Sequence, residues 1–173
     1  MPEKQPSLRP SDIALALQLA RAPGSRYADL SAGLILGLAE VHRGVRRLER
    51  AGLLLAGERR VNRQALLEFL VHGVRYVFPA VLGVETLGIA TAAGAPGLAG
   101  KLPAGVAVVW PLAEGKVRGL SVVPLYGAAP RAALADEQLY RALALVDVLR
   151  LGQVRERHLA QGLLGEDFSS ASR

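Results

Sequence analysis

The chain has 173 residues, 51% hydrophobic and 21% charged, a balance that builds a packed core and excludes a disordered chain. It has no cysteine, which excludes disulfides and thiolate metal sites. The net charge of +6 rests on arginine, 18 Arg against 3 Lys, and it is unevenly placed: residues 1–75 carry 12 basic and 7 acidic side chains, residues 76–173 carry 9 and 8. Between Arg43 and Arg63 there are 7 basic residues and 2 acids, a local excess that favours contact with a polyanion over general solubility.

The opening MPEKQPSLRP has no apolar stretch of the kind a signal peptide needs. Residues 76–100 contain a single charge, Glu85, but Pro79, Pro96 and several glycines interrupt them, so no membrane span is expected. These features lead us to expect a cytoplasmic protein without membrane contact.

Residues 1–10 read as a loose leader. Ser11 or Asp12 is placed to cap a helix running to about Ala22, with Ile13, Leu15, Leu17, Leu19 and Ala20 as its apolar side. Pro23-Gly24-Ser25 is a turn, and RYADLSAGL, 26–34, is a second short helix. After a brief connection at 35–37 comes LAEVHRGVRRLERAG, 38–52. At 100° per residue Leu38, Val41, Val45 and Leu48 gather on one stripe, while Ala39, Arg43, Arg46, Arg47 and Arg50 gather opposite, with Glu40 and His42 on the flanks. Gly52 is the residue that ends such a helix. An arginine face of this kind serves either as solvated surface or as a reader of a polyanion; the local charge excess favours the second.

Three short helices in this order, with YADLSAGL as support, EVHRGVRRLERAGLL as recognition helix and GERR as a reduced wing, resemble the winged helix-turn-helix of bacterial transcriptional regulators, broadly the MarR-like group. The likeness covers residues 9–75. It departs from the pattern at Gly37, where a Ser, Thr or Asp cap is usual, and at Gly33 and Ile35, which end the support helix. The wing is a stub, with Leu53–Ala56 and Val61 able to pair across Gly57-Glu58. The resemblance implies double-stranded DNA as partner and a homodimer. A helix fits the major groove, where arginine forks to guanine or clamps a phosphate. On this reading Ala39, His42, Arg43 and Arg46 meet bases, and Arg47, Arg50, Arg59, Arg60 and Arg63 meet phosphates.

From Asn62 a further helix reaches about Val74, with Leu66, Leu67, Leu70 and Val71 as its apolar side. Residues 79–103 read as a long Gly/Ala/Pro-rich loop or short extended pieces. GAPGLAGK, 94–101, fails as a phosphate-binding loop, because five residues separate Gly94 from Gly100 and Leu102 stands where Ser or Thr would bind magnesium. VAVVW, 106–110, and KVRGLSVVP, 116–124, read as two strands of a small hairpin, with Trp110 anchoring a local core. Pro130 opens a helical region. Asp136 and Glu137 favour the start of its main helix, and Leu139, Leu143, Val146 and Leu149 make one apolar stripe, suited either to a dimer interface or to the chain's own core. VRERHLAQGLL, 154–164, is a last helix, and GEDFSSASR a frayed tail.

The fold expected is therefore mainly α with a small α+β C-terminal part: residues 1–75 a winged helix-turn-helix DNA-binding domain, residues 76–173 a domain for dimerisation, partner or effector binding. His42, His72 and His158 show no metal-ligand spacing, and no nucleophile elbow is present. Asp147, Arg150, Arg155, Glu156 and Arg157 read as surface ion pairing on helices. No enzyme, cofactor or metal is expected. A DNA-binding regulator leads. A protein-interaction module, such as the DNA-binding antitoxin of a toxin-antitoxin or defence system, is the alternative. A ligand-sensing repressor with an apolar pocket near Trp110 or Tyr126 is a third reading.

Overall fold

A computed structural model describes residues 7–170. Along them run α1 (Pro10–Arg21), α2 (Tyr27–Leu34), α3 (Leu38–Arg50), β1 (Leu54–Leu55), β2 (Arg60–Val61), α4 (Arg63–His72), α5 (Val74–Val77), β3 (Leu82–Ala90), β4 (Val108–Pro111), β5 (Val117–Val122), α6 (Ala129–Ala135), α7 (Glu137–Leu151) and α8 (Val154–Ser170). The architecture is mainly α with a small mixed sheet.

Local chemistry sets the ends of the early helices. α1 begins at Pro10, which needs no N–H partner there. The Arg9 amide donates to Asp12 Oδ2 at 2.8 Å, so the flanking residue is Arg9 and not Ser11 or Asp12. α2 ends at Ile35, held in the left-handed region at φ 52°, which costs a non-glycine residue about 1–2 kcal/mol. α3 closes with Gly52 at φ 72°: its N–H donates to Glu49 O at 3.0 Å, and the Leu53 N–H donates to Leu48 O at 2.9 Å. These two hydrogen bonds satisfy carbonyls of the last turn of α3, and the buried Leu53 side chain packs beneath it. Asn62 caps α4 by accepting from the Ala65 N–H at 3.2 Å.

Two helices are enclosed rather than one-sided. α1 buries Ile13, Leu15, Leu17, Leu19 and Ala20 as expected, and also Ala14 and Ala16, because α3 packs on it from one direction and α7 from another. Gly44 marks the α1–α3 crossing, where a Cβ would lie 2.8 Å from Leu15 Cδ2 and 2.9 Å from Asp12 Oδ1. α7 packs against α1, α4, α5, α6 and α8. Its stripe of Leu139, Leu143, Val146 and Leu149 is buried, but so are Ala142, Ala144, Leu145 and Val148 between them. That stripe is core, not a surface left for a second copy. Arg21 pairs with Asp136 at 2.8 Å, and Asp136 caps α7 by accepting from the Leu139 N–H at 2.9 Å. The buried apolar residues form one cluster from Ile13 to Phe168, continuous across position 75.

The sheet departs most from expectation. Residues 79–103, read as a long loop or a set of short extended pieces, contain the nine-residue strand β3. β3 pairs antiparallel with β4 at Ile89↔Trp110 and with β5 at Thr86↔Gly119. β4 and β5, expected as a hairpin, run parallel at Val108↔Leu120, so the three strands close on one another. The link between them passes over β3, where a Cβ on Gly115 would lie 2.1 Å from the Gly88 carbonyl carbon. A Cβ on Gly88 would meet Trp110 O at 2.1 Å, so both positions admit only glycine.

Smaller corrections follow from tertiary contact. Leu38, placed on the buried stripe of α3, is 49% exposed. α4 stops at His72, and Gly73 separates it from α5. α8 continues to Ser170 instead of fraying after Leu164, because Phe168 is buried in the core; residues 171–173 lie outside the described residues. Of the leader, residues 1–6 also lie outside them. Trp110 is buried, as expected of an anchor.

Candidate nucleic-acid interface

α3 is held from beneath. Val41, Val45 and Leu48 are buried, and the α1–α3 crossing at Gly44 brings Arg47 over Asp12. Arg47 Nε and Nη2 each donate to Asp12 at 2.7 Å, and Nη2 also donates to Glu40. The Arg47 side chain is 14% exposed and that of Asp12 2%. The bond to Asp12, outweighing burial, holds the guanidinium firmly protonated. Arg47 is thus the clamp between α1 and α3, although its sequence position placed it with the outward arginines.

The outward face carries Ala39, His42, Arg43, Arg46 and Arg50, all exposed and spaced along one side of α3. Arg43 donates to Glu40 at 2.8 Å and keeps 59% of its side chain exposed. Burial pushes the Glu40 carboxyl up, but the guanidiniums of Arg43, Arg47 and Arg9 outweigh it and hold the group below the ordinary carboxylate range. This acid therefore stays charged and orders its arginines.

Two residues the sequence reading did not single out shape the same face. Tyr27, at the start of α2, stacks on His42 with ring centroids 3.9 Å apart and planes at 22°. The Arg59 guanidinium lies 5.1 Å from the Tyr27 centroid, so the hairpin, α2 and α3 meet through one aromatic contact. Glu49 accepts from the Gly57 N–H at 2.9 Å and fixes the hairpin turn to α3. An aromatic at the first position of the support helix was the signal available for Tyr27. Nothing in the local pattern marked Glu49.

The hairpin itself pairs Leu54↔Val61 and Leu55↔Arg60, a two-residue ladder where the stub was expected. Its arginines divide. Arg60 is exposed and sits 3.5 Å from Glu58. Arg59, at φ 48°, donates to Ser25 O at 2.9 Å, and Arg63 donates to Ala20 O at 3.0 Å. Both are partly buried; Arg59 ties the hairpin to the turn between α1 and α2, and Arg63 ties α4 to the end of α1. Of the nine residues singled out from sequence, the structure brings Ala39, His42, Arg43, Arg46 and Arg50 onto one exposed face with Arg60 on the adjoining hairpin. Arg47, Arg59 and Arg63 hold the frame.

Elsewhere, Asp147 and Arg150 are not surface ion pairing. Asp147 is fully enclosed; it accepts from Trp110 Nε1 at 2.7 Å, Thr91 Oγ1 at 2.8 Å and Arg150 Nη1 at 2.6 Å. Burial pushes its carboxyl up, against the pull of those three donors. Arg150 also donates to Phe78 O at 2.8 Å and Pro79 O at 3.2 Å, so the pair pins the segment before β3 to α7. An apolar cleft of about 440 Å³ lies between the sheet and the end of α7, lined by Leu82, Val106, Val108, Leu120, Val148 and Leu151 among others. Neither Trp110 nor Tyr126 borders it: Trp110 is committed to Asp147, and Tyr126 donates to Leu34 O at 3.1 Å. Among the described residues no helix is long and apolar enough to cross a membrane, and no three His, Asp or Glu side chains are placed to share a metal ion. No family model, curated protein or solved structure matches the chain.

Proposed function

We propose that the protein is a DNA-binding transcriptional regulator of the winged helix-turn-helix kind with a reduced wing, acting as a homodimer in the cytoplasm. The observation that carries this reading is the division of labour on α3. Its inner arginine, Arg47, is consumed in holding the helix, while Arg43, Arg46 and Arg50 stay exposed beside Ala39 and His42 on a helix fixed from beneath. A rigid helix with cationic forks on one side suits the major groove. In this reading Ala39, His42, Arg43 and Arg46 meet base edges. Arg50 and Arg60 meet phosphates, and the stack on Tyr27 fixes the His42 ring before DNA arrives.

Selection of bound duplexes from a random pool, followed by anisotropy titrations across salt, tests it. A consensus with two-fold symmetry is expected. Arg46→Ala should lose about 1–3 kcal/mol on that consensus and relax one position. Arg50→Ala should weaken all sequences alike and reduce the salt slope by about 0.9. The reading fails if no sequence is enriched and both variants bind as the parent does.

One observation favours the second reading, a DNA-binding antitoxin or similar module that also holds a protein. Val81, Leu82, Val84, Leu87, Val106 and Val117 are all exposed on or beside the small sheet, an unusual share of apolar surface for one region. Co-purification of a stoichiometric protein through this sheet, lost on Val84→Lys, would establish it alongside DNA binding.

A further inference from the structure

The three helices α4, α5 and α8 enclose a cleft of about 250 Å³ that lies apart from the α3 face. His72, Arg75 and Tyr76 line one wall, and Arg157, His158 and Gln161 line the other. No carboxylate borders it. This matters because most arginines in the described residues, from Arg9 to Arg150, stand within 4.0 Å of an acid. Among those residues Arg75, Arg157, His72 and His158 have no carboxylate partner. The acid on α4 one turn before His72, Glu68, accepts from Gln64 Nε2 at 3.1 Å.

The cations are also positioned. Arg157 Nη1 donates to Gly152 O at 2.7 Å, which holds its guanidinium at the first turn of α8. The Arg75 guanidinium lies 5.3 Å from the centroid of Tyr76, whose ring is 75% exposed. One hydrogen-bonded guanidinium, a second beside an aromatic ring, two imidazoles and that exposed ring, brought together from distant parts of the chain, match a planar group carrying phosphates. Clustered cations without a counter-charge repel one another, and a bound polyanion relieves that cost.

We propose that this cleft is a phosphate site that takes a nucleotide: Arg75 and Arg157 hold the phosphates, His72 and His158 donate to them, and Tyr76 is the platform for the base. Imidazoles facing an anion gain a stabilised charged form, so occupancy raises their titration midpoints. His42, on α3, is a built-in reference because it lies outside the cleft.

The test is proton NMR of the three histidine ring signals against pH. Spectra are compared for the protein alone, with pyrophosphate, with a nucleoside diphosphate, and with a short duplex. Pyrophosphate should raise the midpoints of His72 and His158 together by about half a pH unit. The diphosphate nucleoside should do so at lower concentration and shift the Tyr76 ring signals, leaving His42 unmoved. Arg75→Gln should remove at least half of the shift. If only the duplex moves His72 and His158, the phosphates come from a nucleic-acid backbone and the nucleotide assignment is overturned. If no arm moves them, or only one of the two moves, the site is overturned altogether.

Discussion

The helices α3 and α7 each carry an acid followed three residues later by an arginine: Glu40 and Arg43, 2.8 Å apart, and Asp147 and Arg150, 2.6 Å apart. The Arg43 side chain is 59% exposed and that of Arg150 is 4% exposed. The spacing makes the contact in both cases, and the surroundings decide what the contact does. On α3 it orders a solvated cation. On α7 it neutralises a carboxylate that Trp110 and Thr91 also hold, and it anchors the turn at Phe78 and Pro79.

The largest effect should come from breaking the inner pair. Arg150→Met leaves Asp147 buried without its cation and frees the Phe78 and Pro79 carbonyls, for a loss of about 3–5 kcal/mol in urea unfolding. Trp110, the single tryptophan, reports it directly, because its indole N–H bonds the same carboxylate. Removing both charges with Asp147→Leu and Arg150→Met together should recover part of that loss, since no orphan charge remains. A cost below about 1 kcal/mol for the single change would mean the pair is not the anchor of that region.

Next comes the clamp beneath α3. Asp12→Ala removes the bidentate partner of Arg47 and the acceptor for the Arg9 amide at once, and about 2–3 kcal/mol of stability should go with it. DNA binding, if α3 reads the groove, should fall further than stability alone explains. Equal unfolding midpoints for Asp12→Ala and the parent would return Arg47 to the outward face.

These two sites show where sequence could be read and where it stopped. Val41, Val45 and Leu48 against Arg43, Arg46 and Arg50 obey helical periodicity, so the two sides of α3 were legible. The Gly52 stop, the helix beginning at Asn62 and the Leu54–Val61 pairing follow from local chemistry in the same way. Arg47 was not legible, because its inward turn depends on Asp12, 35 positions away, and on the absence of a side chain at Gly44. The burial of Asp147 and Arg150 depends on the helices α1, α4, α5, α6 and α8 closing around α7. β3 hid for a different reason: Leu82 and Val84 are both exposed and glycines interrupt the run, so it never shows the alternation of a half-buried strand.

A smaller, pH-dependent effect separates Glu40 from its inner counterpart. Burial raises the Glu40 carboxyl, the three guanidiniums lower it more, and the native group ends below its ordinary value of 4.5. The native state therefore binds this proton less readily than the unfolded chain. Its contribution is complete above about pH 5 and fades as pH falls through the lowered native value. The difference in unfolding free energy between the parent and Glu40→Gln should be about 1 kcal/mol at pH 7 and should shrink as pH falls through the lowered native value. A difference that grows on acidification would reverse the sign and remove Glu40 as the charged organiser of the face.

The smallest expected effect on stability is also the sharpest test of the contrast. Arg43→Ala breaks a pair with the same spacing as Asp147 and Arg150, yet Glu40 keeps Arg47 and Arg9 as partners and the lost guanidinium was already in water. Unfolding midpoints should therefore move by no more than about 0.5 kcal/mol. Affinity for a selected duplex should drop by about tenfold or more at the same time, because a cation that contributes little to the fold is free to contribute to a partner. A stability loss comparable to that of Arg150→Met would make the outer face of α3 part of the scaffold. A variant that is neither less stable nor weaker in binding would make it ordinary solvated surface.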